Sequence, residues 1–159
     1  MKKDVIIVDI DGTICNSEER LKGVGFDPSL PPEQWPTEWG DVSKDKPIKE
    51  MVELVSYLQY KYQTFYVTLR DEGETEKTIK WLNSHKLFAD EEHVFCVGDI
   101  TNKTKDVTAL KRNFVDKTLK DLKLNKRVAF CIEDSPNMID MYREIGITCL
   151  DVGKFYGST

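Results

Sequence analysis

Two periodicities take turns along this chain. Val5-Ile6-Ile7-Val8 is a β-branched apolar run that closes on an acidic turn, so Lys3–Ile10 reads as a buried strand. From Pro47 to Lys61 the spacing changes. Apolar residues fall at Ile48, Met51, Val52, Leu54, Val55 and Leu58, a helical pattern opened by proline. Thr64–Thr68 is strand-like again, Glu74–His85 is helical with Ile79, Trp81 and Leu82, and Val94–Val97 is a strand stopped by Gly98-Asp99. Phe114–Leu124 predicts a helix, Val128–Ile132 a buried strand, Met138–Ile145 a helix ended by Gly146, and Ile147–Val152 a last strand. Strands alternating with helices imply a mostly parallel sheet covered on both faces, an α/β three-layer sandwich of Rossmann-like type.

One stretch breaks the alternation. Residues from about 16 to 46 carry Gly23, Gly25, Pro28, Pro31, Pro32, Pro36 and Gly40, with Phe26, Trp35 and Trp39 among them. A long irregular segment inside a compact chain is usually functional or disordered, and the aromatic residues argue against disorder. The expectation is one domain spanning residues 1–159 with a small cap or lid at about 16–46. Trp35 and Trp39 would either fill the cap's own core or stack on a ligand.

Composition narrows the possibilities. A chain of 159 residues can bury one substantial core, and 32% charged against 40% hydrophobic residues is ordinary for a soluble protein. No apolar run approaches the ~20 residues that cross a bilayer. The first apolar run is too short, and too soon interrupted by Asp9 and Asp11, for a signal peptide, so a cytoplasmic setting is expected. Cys15, Cys96, Cys131 and Cys149 form no C-x-x-C pair and are read as small buried hydrophobes. The net charge of −5 argues against a large grip on nucleic-acid phosphates. Lys103–Arg127, however, holds nine basic residues against three acidic ones. That segment is a solvated helix face or a basic wall beside an anionic substrate.

The chemistry gathers at strand ends, where open α/β sheets bind ligands. Three strands end in Asp9-Ile10-Asp11, Thr68-Leu69-Arg70 and Glu133-Asp134. A carboxylate at a strand end attacks phosphorus when a cation neutralises both partners. A second carboxylate two residues on points the same way, placed to protonate a leaving oxygen and then to deprotonate water. Gly12 permits the sharp turn after them.

Asp9-Ile10-Asp11-Gly12-Thr13 resembles the first motif of the haloacid dehalogenase superfamily of phosphotransferases. That resemblance implies Asp9 as nucleophile, Asp11 as acid–base, Thr68 as a phosphoryl-binding hydroxyl and Lys117 as the charge-neutralising lysine. It also implies magnesium held by Asp9, Asp11, Asp134 and Glu133, with Asp134 the closer member of the pair. Thr68–Glu72, Thr78–Leu82, Ile132–Ser135 and Met141–Ile147 are further similar to the 3′-phosphatase domains of phage polynucleotide kinase-phosphatases. Gly12, Thr13, Arg20 and Arg70 are then expected to bind substrate. Leu69 stands where that family has glycine, and the acidic pair begins with Glu rather than Asp. No Gly-x-x-x-x-Gly-Lys-Ser/Thr loop occurs, so no kinase domain is expected in this chain.

The expected activity is magnesium-dependent hydrolysis of a phosphomonoester, with a phosphorylated nucleic-acid end as substrate. A cap this small leaves room for a polymer. Free deoxynucleoside monophosphates are the competing substrate, and a non-catalytic binding domain is a third reading, disfavoured because Asp9 and Asp11 are both intact.

Overall fold

The computed structural model describes residues 1–98 and 106–153. A five-stranded parallel sheet organises them, built from β1 (Val5–Val8), β4 (Gln63–Asp71), β5 (Val94–Gly98), β6 (Val128–Glu133) and β7 (Cys149–Asp151) in the order β5-β4-β1-β6-β7. β1 is central. Ile6 and Val8 face one layer, and Val5 and Ile7 face the other, so the unbroken apolar run reflects burial on both sides.

The first layer packs α2 (Lys49–Leu58) and α3 (Thr75–Ser84) on the sheet through Met51, Val55, Trp81 and Leu82. The second holds α4 (Val107–Asn113), the π-helical stretch Phe114–Leu119 that continues it, and α5 (Pro136–Glu144). It packs through Phe114, Val115, Leu119, Met138, Ile139 and Tyr142. The expected three-layer α/β sandwich is therefore present.

The expected helix at Phe114–Leu124 begins earlier in the structure. Asp106 caps it, its carboxylate accepting the backbone N–H groups of Thr108 and Ala109. The helical path thus starts at Val107, before the apolar positions that announced it. Asp99, Lys103 and Lys105 lie outside the described residues.

The cap insert leaves the sheet after β1. β2 (Cys15–Asn16) pairs antiparallel with β3 (Lys46–Pro47), which pins the two ends of the insert together. Between them lie α1 (Glu18–Gly23) and short 3₁₀ turns at Pro32–Gln34 and Val42–Lys44. Phe26 is the insert's aromatic centre, edge-on to Trp35 at 5.1 Å and tilted against Trp39 at 6.1 Å.

Candidate active site

Strand order reverses at β1: β4 and β5 lie on one side, β6 and β7 on the other. The crevice at such a switch point is where α/β sheets bind ligands. Asp9 and Asp11 leave the end of β1 there, flanked by Thr68 and Arg70 from β4 and by Glu133 and Asp134 after β6. All six line one cleft of about 810 Å³. Its opposite wall comes from the insert and includes Leu21, Phe26, Leu30, Trp35 and Trp39.

The two aspartates face different partners. Asp9 is buried; its Oδ1 accepts from Lys111 Nζ at 2.7 Å and its Oδ2 from Thr13 Oγ1 at 2.8 Å. Lys111 reaches back to Glu133 Oε2 at 2.8 Å. Burial disfavours its ammonium, but Asp9 and Glu133 more than offset that and hold it protonated. Glu133 is occupied at both oxygens, because Oε1 accepts the backbone N–H groups of Asp134 and Ser135. Thr13 also donates to Asp134 Oδ1 at 3.2 Å.

Gly12 makes room for Asp134. It sits at φ +83°, and a Cβ built there would stand 2.2 Å from Asp134 Oδ2. Any other residue would be strained in backbone and would displace that carboxylate.

Asp11 turns to the arginines. Arg70 grips it in a fork, Nε to Oδ2 at 2.9 Å and Nη2 to Oδ1 at 2.8 Å, while Arg20 Nη2 reaches Oδ1 at 2.9 Å. Burial raises the Asp11 carboxyl, but the two guanidiniums outweigh it and leave the group below its usual range. Thr68 is buried beside it and its hydroxyl accepts the Arg70 backbone N–H. Asp45, from the end of the insert, completes this side. It takes Arg20 Nε on both oxygens at 3.0 and 2.9 Å, and its backbone carbonyl accepts Trp81 Nε1 at 2.8 Å.

The sequence matches the family model of the polynucleotide kinase PNKP phosphatase domain over residues 3–155. The chain belongs to that family. As a PNKP-type phosphatase domain it is a hydrolase of the haloacid dehalogenase superfamily. A haloacid dehalogenase-like family hydrolase from Streptococcus pneumoniae shares the fold at a TM-score of 0.65, with 16% identity over 98% of this chain and 87% of its own. No curated protein matches the chain.

Among the described residues of this phosphatase domain, two groups of side chains have ligand atoms close enough for a cation: Asp9 with Glu133 and Asp134, and Asp11 with Cys15 and Asp45. Only the first suits a divalent ion. Among the described residues its three carboxylates face a single ammonium, and burial followed by the charge of Asp9 pushes Asp134 up to about 9 and Glu133 upward with it. That crowding is what a hard cation with oxygen ligands relieves. The second group already has two guanidiniums for its two carboxylates. Burial and the charge of Asp11 raise the Cys15 thiol far above its normal range, so it is a packed thiol rather than a ligand.

This geometry bears on three sequence-based assignments. Lys117 is exposed on the π-helical stretch; the lysine at Asp9 is Lys111. The reason is the early start of α4, which lines up Lys111 with the buried Val115 and Leu119 and turns Lys117 outward. The Asp11 side chain lies outside the Asp9–Glu133–Asp134 group, so a part for Asp11 in holding a cation falls to its backbone carbonyl, as the sequence reading expected. Arg20 and Arg70 were expected to hold substrate, and here both hold Asp11. Asp45 was missed altogether, because it sits in the segment that has no periodicity to interpret.

Proposed function

We propose that this domain removes the phosphate from the 3′ end of a polynucleotide, with Asp9 as nucleophile and magnesium as cofactor. The observation that carries the reading is the pairing of Lys111 with Asp9 at 2.7 Å, an ammonium shared with the buried Glu133, with the Asp134 carboxylate beside them. The family match supports the substrate class.

Lys111 donates to Asp9 Oδ1 at 2.7 Å and orients the carboxylate that attacks phosphorus. Asp9 Oδ forms the new P–O bond as the ester oxygen leaves with its electron pair, giving an aspartyl-phosphate and a free hydroxyl. Bound by Asp9 and Asp134, magnesium would neutralise the crowded carboxylates and the phosphate. The Thr13 and Thr68 hydroxyls and the lysine ammonium are the donors available to phosphoryl oxygens.

Asp11 supplies and recovers the proton. While both arginines hold it, it is ionised and accepts a proton from the water that cleaves the aspartyl-phosphate. The proton so gained is the one its carboxyl gives to the leaving oxygen of the next substrate.

The test compares phosphate release, with magnesium, from a 3′-phosphorylated oligonucleotide and from 3′- and 5′-mononucleotides. A kcat/KM at least about tenfold higher for the oligonucleotide is expected. Preference for a mononucleotide would replace this reading with a nucleotidase.

A further inference from the structure

The cleft has two unlike walls. Carboxylates, Lys111 and Thr68 form the floor at the strand ends, while the insert faces them with Phe26, Trp35, Trp39, Leu21 and Leu30. Hydrolysis of a phosphate needs only the floor, so the aromatic wall is matched to some other part of the substrate. A cleft of about 810 Å³ is within the ~300–1,000 Å³ of small-molecule sites, larger than a phosphate requires.

The two tryptophans are held differently. Trp35 is tied into the insert itself, its indole N–H donating to the Leu30 carbonyl at 2.9 Å and its ring edge-on to Phe26. Trp39 is tied to the catalytic floor instead. Its backbone carbonyl accepts Arg20 Nη1, and the same guanidinium reaches Asp11 and Asp45. Gly40, next in sequence at φ +75°, allows that contact, since a Cβ there would come within 2.9 Å of Arg20 Cγ. Trp39 Nε1 is shut off from water and finds no acceptor among the described residues. A small shift of the ring toward a ligand acceptor would satisfy it.

We propose that Trp39, backed by Phe26, is the stacking platform for the nucleobase next to the phosphate that Asp9 attacks. The site then takes a phosphorylated nucleoside unit in preference to a bare sugar phosphate, and Arg20 sets the platform's register with the catalytic carboxylates. Trp35 belongs to the insert's own core. The inference rests on the reading of a nucleic-acid substrate but is separable from it. Stacking is sequence-tolerant because every base has a π face, so no single base is selected.

Four substrates separate the two questions: a 3′-phosphorylated oligonucleotide, the same oligonucleotide with an abasic last residue, a nucleoside 3′-monophosphate and ribose 3-phosphate. The polymer–monomer comparison tests the substrate reading, and the base–abasic comparison within each pair tests the platform. In the wild type the base should lower KM about tenfold in both pairs. Trp39→Leu should bring that ratio to about one, Trp39→Phe should keep part of it, and Trp35→Leu should keep the ratio while lowering the melting temperature. Where turnover is slow, quenching of indole fluorescence in Asp9→Asn gives the same ratios as dissociation constants. If Trp39→Leu fails to fold by circular dichroism, the wild-type and Trp39→Phe ratios decide. A wild-type ratio near one, or a Trp39→Leu ratio equal to that of wild type, overturns the platform even if polymers are the preferred substrates.

Discussion

The two sides of the β1 end carry the same kind of carboxylate and come to opposite electrostatic states. On the Asp9 side, Asp9, Glu133 and Asp134 share one cation among the described residues, Lys111. On the Asp11 side, Asp11 and Asp45 meet Arg20 and Arg70, two against two. Closeness of carboxylates alone would make both into metal sites. Counting the cations packed among them, within the described residues, makes one side the candidate cation site and leaves the other balanced by its arginines. The balanced cluster also joins the insert to the sheet, because Arg20 and Asp45 both belong to the segment between β2 and β3.

The largest break in this comparison is Asp9→Asn. Turnover should fall by at least about 10³-fold while the far-ultraviolet spectrum and melting temperature stay near wild type. Asp45→Asn instead leaves two buried guanidiniums with one carboxylate. Unpairing a buried ion costs about 3–5 kcal/mol, so this variant should melt early while keeping measurable turnover. Asp9→Asn should thus remove chemistry and Asp45→Asn should remove stability. A reversal of the two phenotypes, read by phosphate release and calorimetry, would contradict the division.

Lys111→Met should lower kcat by about 10²-fold, because the ammonium that hydrogen-bonds Asp9 at the reacting centre is gone. Lys117→Ala should change nothing measurable. Phosphate-release assays on the two variants check the correction of one lysine by the other.

Proton linkage sharpens the comparison further. Burial and the charge of Asp9 raise Asp134 to about 9 in the folded protein, and Glu133 moves in the same direction. Unfolded carboxyls titrate near 4. The folded state therefore binds more protons than the unfolded state between about pH 4 and 9, and metal-free stability falls as pH rises through that window. Magnesium held as proposed would compete for the same oxygens, so its stabilising effect should be small at pH 5 and larger at pH 8. Melting curves with magnesium and with a chelator at the two pH values measure this.

Much of this was legible in the sequence for one reason: residues that must be buried on both sheet faces are apolar without interruption. Val5–Val8 and Val128–Ile132 announce β1 and β6, and the acidic ends of those strands announce the site. Lys111 was not legible, because α4 starts at a side-chain cap, Asp106, rather than at an apolar repeat. The spacing of Lys111, Val115 and Leu119 was the available signal, one buried line at intervals of four. Asp45 and the roles of Trp35 and Trp39 depend on how an aperiodic insert folds back. Pairing of Cys15 with Pro47 sets that, and no local pattern encodes it.

The most direct measurement is the magnesium-induced rise in melting temperature at pH 8 for the wild type, Asp134→Asn and Asp45→Asn. The wild type and Asp45→Asn should both gain stability with magnesium from their different starting points, and Asp134→Asn should lose most of the gain. A response kept in Asp134→Asn and abolished in Asp45→Asn would place the cation on the Asp11 side and contradict the assignment.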